Sequence, residues 1–412
     1  MIPQRWFIVA AVTCLASIPL LRLQAQTRNT GDISRQIFED DSAADWIHLS
    51  RSKPRYLLLS GDSGSNEHSD LSGDSNLGNS FVSSNEPVYG VNPVDSDGSS
   101  GTITAGVALY FLRPFSSNNT AFSTTTGIGT PTTALTNQEF DWSYNLAPAV
   151  WLGWSDPTGV GVRARFFHLD QDSGSVNSVL DVANAATTSI SPPSGLSPLL
   201  GIPLRGLQSP GILLQDSRGQ DTLSAQSSLR IQTIDTEVTL QRDWGALNVL
   251  WGAGGRYLQM NQGYQLSLVN FIDPLNNETS NLNAIRDFSG FGPTFSAQCS
   301  RRIGSSNFSV VGLARGSYLV GTSQHSGTFS ETIIDSINGN QTNVGTDRSS
   351  NHVALPIIDL EGGVEYGRSV GSTFVFVRGT CVSSTYFGAG NASSTDGNLN
   401  LFGAMISTGL NF

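Results

Sequence analysis

Asn398-Leu-Asn-Leu-Phe-Gly-Ala-Met-Ile-Ser-Thr-Gly-Leu-Asn-Phe412 decides the fold class of this chain. Counting back from Phe412, one face holds Phe412, Leu410, Thr408, Ile406, Ala404 and Phe402. The other holds Asn411, Gly409, Ser407, Met405 and Gly403. A period of two sustained over more than ten residues is the period of a strand. A transmembrane barrel needs strands of about 9–11 residues in which lipid-facing apolar positions alternate with small or polar ones. The alternative is the closing strand of a soluble β-sandwich, which has little use for an aromatic Phe412 at its end. Phe412 is therefore expected to act as a membrane-assembly signal for the barrel-assembly machinery.

The opposite end of the chain agrees. Arg5 precedes an apolar run from Trp6 to Leu21, followed by Gln24-Ala25-Gln26. This is the layout of a secretory signal peptide over residues 1–25, with Leu23 an imperfect fit to the cleavage site. The run is short for the roughly 20 apolar residues of a spanning helix. Export without a helical span leaves secreted, periplasmic or barrel fates.

Only 13% of the 412 residues are charged and the net charge is −11. An acidic chain rich in Gly, Ser, Thr and Asn suits a barrel with polar loops, and argues against nucleic acid as a partner. Past the leader two cysteines remain, Cys299 and Cys381, and buried or lipid-facing thiols are expected of them. No metal spacing is legible, and no cofactor is expected.

Residues 26–101 show little periodicity. Between Gly61 and Ser100 lie seven acids and no Lys or Arg. Such a segment buries too little apolar surface to offset its ordering entropy, so a disordered periplasmic linker is expected there. From Thr102 onward, period-two segments recur. Ile103, Ala105, Val107, Leu109 and Phe111 share one face. Phe140 to Trp154 and Val160 to Phe166 alternate in the same way, and a strand over 223–242 slips phase near Thr233-Ile234, as at a bulge. Short connections at 155–158, 243–245, 301–304 and 367–371 alternate with long ones at 113–139, 170–222, 266–285, 321–350 and 387–397. Bacterial barrels have short periplasmic turns and long outer loops. The pattern therefore predicts an all-β, antiparallel, up-and-down transmembrane barrel of about ten strands over residues 102–412, with twelve as second choice.

Several stretches carry a resemblance. They are Phe140-Asp-Trp-Ser-Tyr144 through Trp151-Leu-Gly-Trp154, Gly161-Val-Arg-Ala-Arg-Phe-Phe-His168, Trp251-Gly-Ala-Gly-Gly-Arg-Tyr-Leu258, Gly312 to Gly321 and Leu360-Glu-Gly-Gly-Val-Glu-Tyr366. With the final strand they resemble pore-forming outer-membrane proteins of the Legionella type, as a divergent member. The resemblance implies a channel-type barrel in outer-membrane lipids and implies no catalytic residue.

By strand phase, Asp141, Arg163, Arg165, Arg256, Asp359, Glu361 and Glu365 point inward as candidate lumen-lining residues. Arg230, Asp235, Glu237, Arg315 and Arg378 have a less certain phase. An Arg on the lipid face costs about 2–4 kcal/mol at the midplane, so inward placement is the cheaper assignment. Arginines facing carboxylates across water would make a field that selects small polar solutes or ions. Alternatively, mutual salt bridges fill a narrow barrel, as side chains do near eight strands. A rim hydrolase is the rival from another class, with His168 beside Asp170 and Asp172, or His325 and His352 near Asp347 and Asp359, as possible bases. No Gly-x-Ser-x-Gly elbow accompanies them. The reading is a porin-like channel, with a filled structural or adhesive surface barrel as alternative. Oligomeric state stays open.

Overall fold

The computed structural model describes residues 101–126, 134–180, 188–191, 193, 221–273, 276–335, 339–394 and 396–412. The expected signal peptide and nearly all of the linker lie outside the described residues. Fourteen strands are described: β1 (Thr102–Ser116), β2 (Thr120–Thr126), β3 (Ala134–Glu139), β4 (Asn145–Ser155), β5 (Val160–Asp172), β6 (Val176–Leu180), β7 (Thr188–Ser191), β8 (Asp221–Trp244), β9 (Leu247–Asp273), β10 (Asn276–Arg302), β11 (Phe308–Asp335), β12 (Gln341–Val370), β13 (Thr373–Tyr386) and β14 (Leu399–Asn411).

Ten of these close a ring. The order is β5-β4-β1-β14-β13-β12-β11-β10-β9-β8, and β5 pairs with β8 to seal it. Each neighbouring pair in the ring is antiparallel. Following opposed residues round the ring from Thr104 through Gly153, Arg163, Glu237, Gly254, Thr294, Ser317, Ile357, Tyr386 and Leu399 returns to β1 at Ser116. A stagger of that size tilts the strands against the barrel axis, as closure requires. The remaining strands belong to the outer loops: β6 pairs with the upper end of β8, and β3-β2-β7 form a small separate sheet.

The four short connections each carry one glycine in the left-handed region: Gly159 (φ 84), Gly245 (φ 63), Gly304 (φ 58) and Gly371 (φ 66). Only a residue without Cβ takes that conformation at little cost, which lets these turns be short. In the first turn Asp156 accepts hydrogen bonds from the Thr158 hydroxyl (2.7 Å) and from the Thr158 and Val160 amides (2.9 Å each). The Thr158 hydroxyl bond in particular holds its carboxyl below the usual carboxylate range.

β14 alternates buried and exposed along its whole length, with Phe402, Ile406 and Leu410 outward. Val107, Leu109, Leu152, Val162, Val238, Phe295, Val310, Leu360 and Val377 join them in an apolar outer belt. Trp154, Trp244, Trp251 and Tyr257 also face outward, and Trp244 meets Trp251 edge-on at 6.4 Å. Trp142 and Trp151 are instead buried. Cys299 and Cys381 are free and exposed on the belt side.

Several expectations need correction. The connections anticipated at 266–285 and 321–350 are mostly strand, because β9 to β12 run far past the belt. Their upper halves carry Asn, Gln, Ser and Thr outward, which reads as loop in sequence. The phase slip near Thr233-Ile234 is absent: β8 keeps one register with β5 and β9 throughout. What changes is the face that is apolar. Leu223, Leu229 and Ile231 point inward above the membrane, while Ile234 and Val238 point to lipid within it. Phe140 to Tyr144 precede β4 rather than forming part of it.

Candidate functional site: the barrel lumen

The inward face divides into layers by height. Across the membrane level, arginines and carboxylates from different strands converge. Arg163 pairs with Glu237, and Arg378 with Glu365. Arg256 reaches Asp235 (2.6 Å) and Asp359 (2.9 Å), while Arg315 reaches Glu237 (3.1 Å) and Asp235 (3.6 Å). Arg165 lies 3.9 Å from Asp235 and donates to the Tyr110 hydroxyl (2.9 Å), which faces Glu361 at 3.5 Å. Five arginines thus meet five carboxylates, and the layer is neutral. Burying such charges is tolerable because they lie against opposite charge and are largely hydrogen-bonded, with Arg315 Nη1 left without a hydrogen-bond partner. The void left among Tyr110, Arg165, Arg256, Asp359, Glu361 and Tyr386 is about 20 Å³. That is room for about one water.

Above this layer the interior turns apolar. Leu169, Ile231, Leu258, Met260, Leu319, Leu355 and Leu401 are all buried there. Two outer segments fold into the mouth. Tyr264 donates to the Ala121 carbonyl (2.7 Å), which seats Ala121 and Phe122 inside. Gln262 donates to the Gly390 carbonyl (3.0 Å) and Arg286 to that of Ser394 (3.4 Å), which seats Ala389 and Ala392.

Of the residues expected inside, Arg163, Arg165, Arg256, Asp359, Glu361 and Glu365 stand in this network. Asp141 does not. Its side chain is 92% exposed, outside any strand, and meets the outward Arg113 at 3.4 Å. The alternation Phe140-Trp142-Tyr144 imitates a strand although the chain there is irregular. Four residues of uncertain phase, Asp235, Glu237, Arg315 and Arg378, prove to be central. An unbroken β8 phase would have placed the first two. Arg230 lies on the outer face, bonded to Asp170.

Among the described residues the histidines do not converge. His168 on β5 meets the Gln232 amide of β8 (3.2 Å), whereas His325 is buried on the inner side of β11, opposite Arg286. Among the described residues no group of three or more His, Cys, Asp or Glu is placed to hold a metal. His325 lies well above the membrane, and burial, with Arg286 beside it, pushes its pKa down to about 4. Its unfolded value is near 6.5. Above pH 6.5 the imidazole is neutral in both states and costs nothing. As pH falls from 6.5 towards 4 the unfolded chain takes up the proton first, and stability drops by at most about 1.4 kcal/mol per pH unit. Urea midpoints of wild type and His325→Gln should diverge at pH 7 to 4, with the variant flatter; parallel curves would sink this assignment.

Comparison with known proteins adds the family. Solved barrels are similar only loosely. The outer membrane protease OmpT from Escherichia coli shares 10% identity over 77% of this chain and 99% of its own, with a TM-score of 0.33. The CymD monoaromatic hydrocarbon channel shares 10% identity over 76% and 89%, with a TM-score of 0.21. A Pseudomonas aeruginosa FadL homologue shares 8% over 76% and 90%, also at 0.21. Scores this low say nothing about function. No curated protein matches the chain. The model of the family described as Legionella pneumophila major outer membrane protein precursor matches residues 101–400, and this chain belongs to that family of outer-membrane proteins.

Proposed function

We propose that this protein is an outer-membrane barrel closed to free diffusion, which presents a tall β-wall at the cell surface, rather than an open porin for small polar solutes. The observation that carries this reading is the lumen's filling. Every arginine at membrane level has a carboxylate or phenol partner, the void beside them is about 20 Å³, and the apolar layer above is stoppered by two inward segments. Ten-stranded rings are close to the size that side chains fill. Strands β8 to β12, of 24–30 residues, are more than twice the length that crossing a membrane takes.

A second reading, a gated narrow channel, is favoured by one feature. The two stoppering segments hold the mouth through hydrogen bonds to Gln262, Tyr264 and Arg286 rather than as part of the wall. Planar-bilayer recording of the full barrel separates the two. The closed reading expects no discrete steps across the usual voltage range, and stable steps in the wild type would sink it. Steps that arise only when Ala389–Ser394 is deleted would favour the gate.

A further inference from the structure

The outer face of the β8–β12 wall carries a trough that the lumen does not involve. Two neighbouring rows of side chains cross all five strands. One is Gln226, Gln265, Asn283, Thr328 and Thr346; the other is Ser224, Ser267, Asn281, Ser330 and Val344. Between them runs a cavity of about 340 Å³, floored where Leu266, Leu282 and Phe329 turn their side chains to the interior. Four strand-to-strand steps make it roughly 19 Å long. It stands above the membrane level, in the part of the wall that faces the cell's surroundings.

The chemistry of the lining is narrow. It contains no Lys, Arg, His, Asp or Glu. Its four amides, Gln226, Gln265, Asn281 and Asn283, make no side-chain hydrogen bond among the described residues. Three other amides on the same face are engaged: Asn261 with Asp287, Gln324 with Arg348, and Gln232 with His168. Each free amide offers two donors and an acceptor, and each hydroxyl offers one donor with acceptors. Converging unengaged groups of this kind in a concave surface are the polar half of a binding site.

We propose that this trough binds a neutral, linear oligosaccharide. Paired donor and acceptor on one amide match vicinal hydroxyls on one sugar. The strand spacing of about 4.8 Å is close to the length one pyranose unit adds to an extended chain, so successive sugars meet equivalent side chains on successive strands. The absence of charge selects against nucleic acid, acidic polysaccharide and charged peptide, because none would find a counter-charge there. The proposal rests on the wall lying outside the membrane, and does not depend on whether the lumen conducts.

The test uses the full chain in a detergent without a sugar headgroup, titrated calorimetrically with cello-, malto- and galacto-hexaose. One of these should bind, and the Gln265→Ala/Asn283→Ala variant should weaken it at least tenfold. Thr322→Ala, on the same face but below the trough, should leave it unchanged. Heat-modifiable electrophoretic migration shows whether each variant is still a folded barrel. Failure of all three hexaoses to bind overturns the proposal. So does binding that survives the double variant, or preferential binding of an uncharged Ser/Thr peptide. Recording of conductance from the same preparation tests the closed-barrel reading separately.

Discussion

Asp235→Ala is expected to destabilise the barrel by about 3–5 kcal/mol, the usual cost of removing one partner from a buried ion network. Asp235 faces three guanidinium groups: Arg256 at 2.6 Å, Arg315 at 3.6 Å and Arg165 at 3.9 Å. Its loss leaves positive charge buried with too few carboxylates to balance it. Arg256 retains Asp359 and Arg315 retains Glu237, so the network loosens without emptying. The Arg378–Glu365 pair supplies the contrast, since Glu365 has only Arg378 as its ion partner among the described residues. Replacing both by leucine should cost less than replacing Glu365 alone, because desolvation and attraction disappear together. Urea titration followed by heat-modifiable migration measures both. An Asp235→Ala midpoint equal to wild type would show that the lumen is wet enough to screen the arginines, and would remove the main support for a filled barrel.

Ile406→Arg should cost about 2–4 kcal/mol, and Leu410→Arg on the same face only about 0–1 kcal/mol. Ile406 is 60% exposed in the middle of the outer belt, opposed by Leu109 and Gly379. Leu410 lies four residues nearer the periplasmic end, beside Ala105 and Val375, where an arginine reaches the headgroups. In a soluble protein both positions would tolerate arginine, since exposed sites normally change stability by less than about 0.5 kcal/mol. The depth dependence is therefore the informative quantity. Equal, small effects at the two positions would contradict a bilayer around β14.

Much of this is legible in the sequence. The belt could be read from Phe402, Ala404, Ile406, Thr408 and Leu410, because alternation is a local property of one strand. The short turns were legible because Gly159, Gly245, Gly304 and Gly371 stand at the breaks between alternating runs. The inward set is legible where the phase is unbroken, as for Arg163 and Arg165. It failed at Asp141, where three aromatics at every second position imitate a strand. It is ambiguous at Asp235 and Glu237, because the apolar face of β8 changes sides where the strand leaves the membrane and the alternation reads as a slip.

By itself, the sequence determined the class of structure: strands with one apolar face, ordered into hairpins by short turns, in a chain whose outward residues suit lipid. Tertiary structure alone decided which charges meet. Arg163 finds Glu237 and Arg256 finds Asp359 through the stagger of the ring, which brings residues 74 and 103 positions apart to one level. It also decided that polar side chains from five separate strands line one trough. Side-chain period is written into each strand, whereas register between strands is a property of the closed ring, and the site residues depend on register.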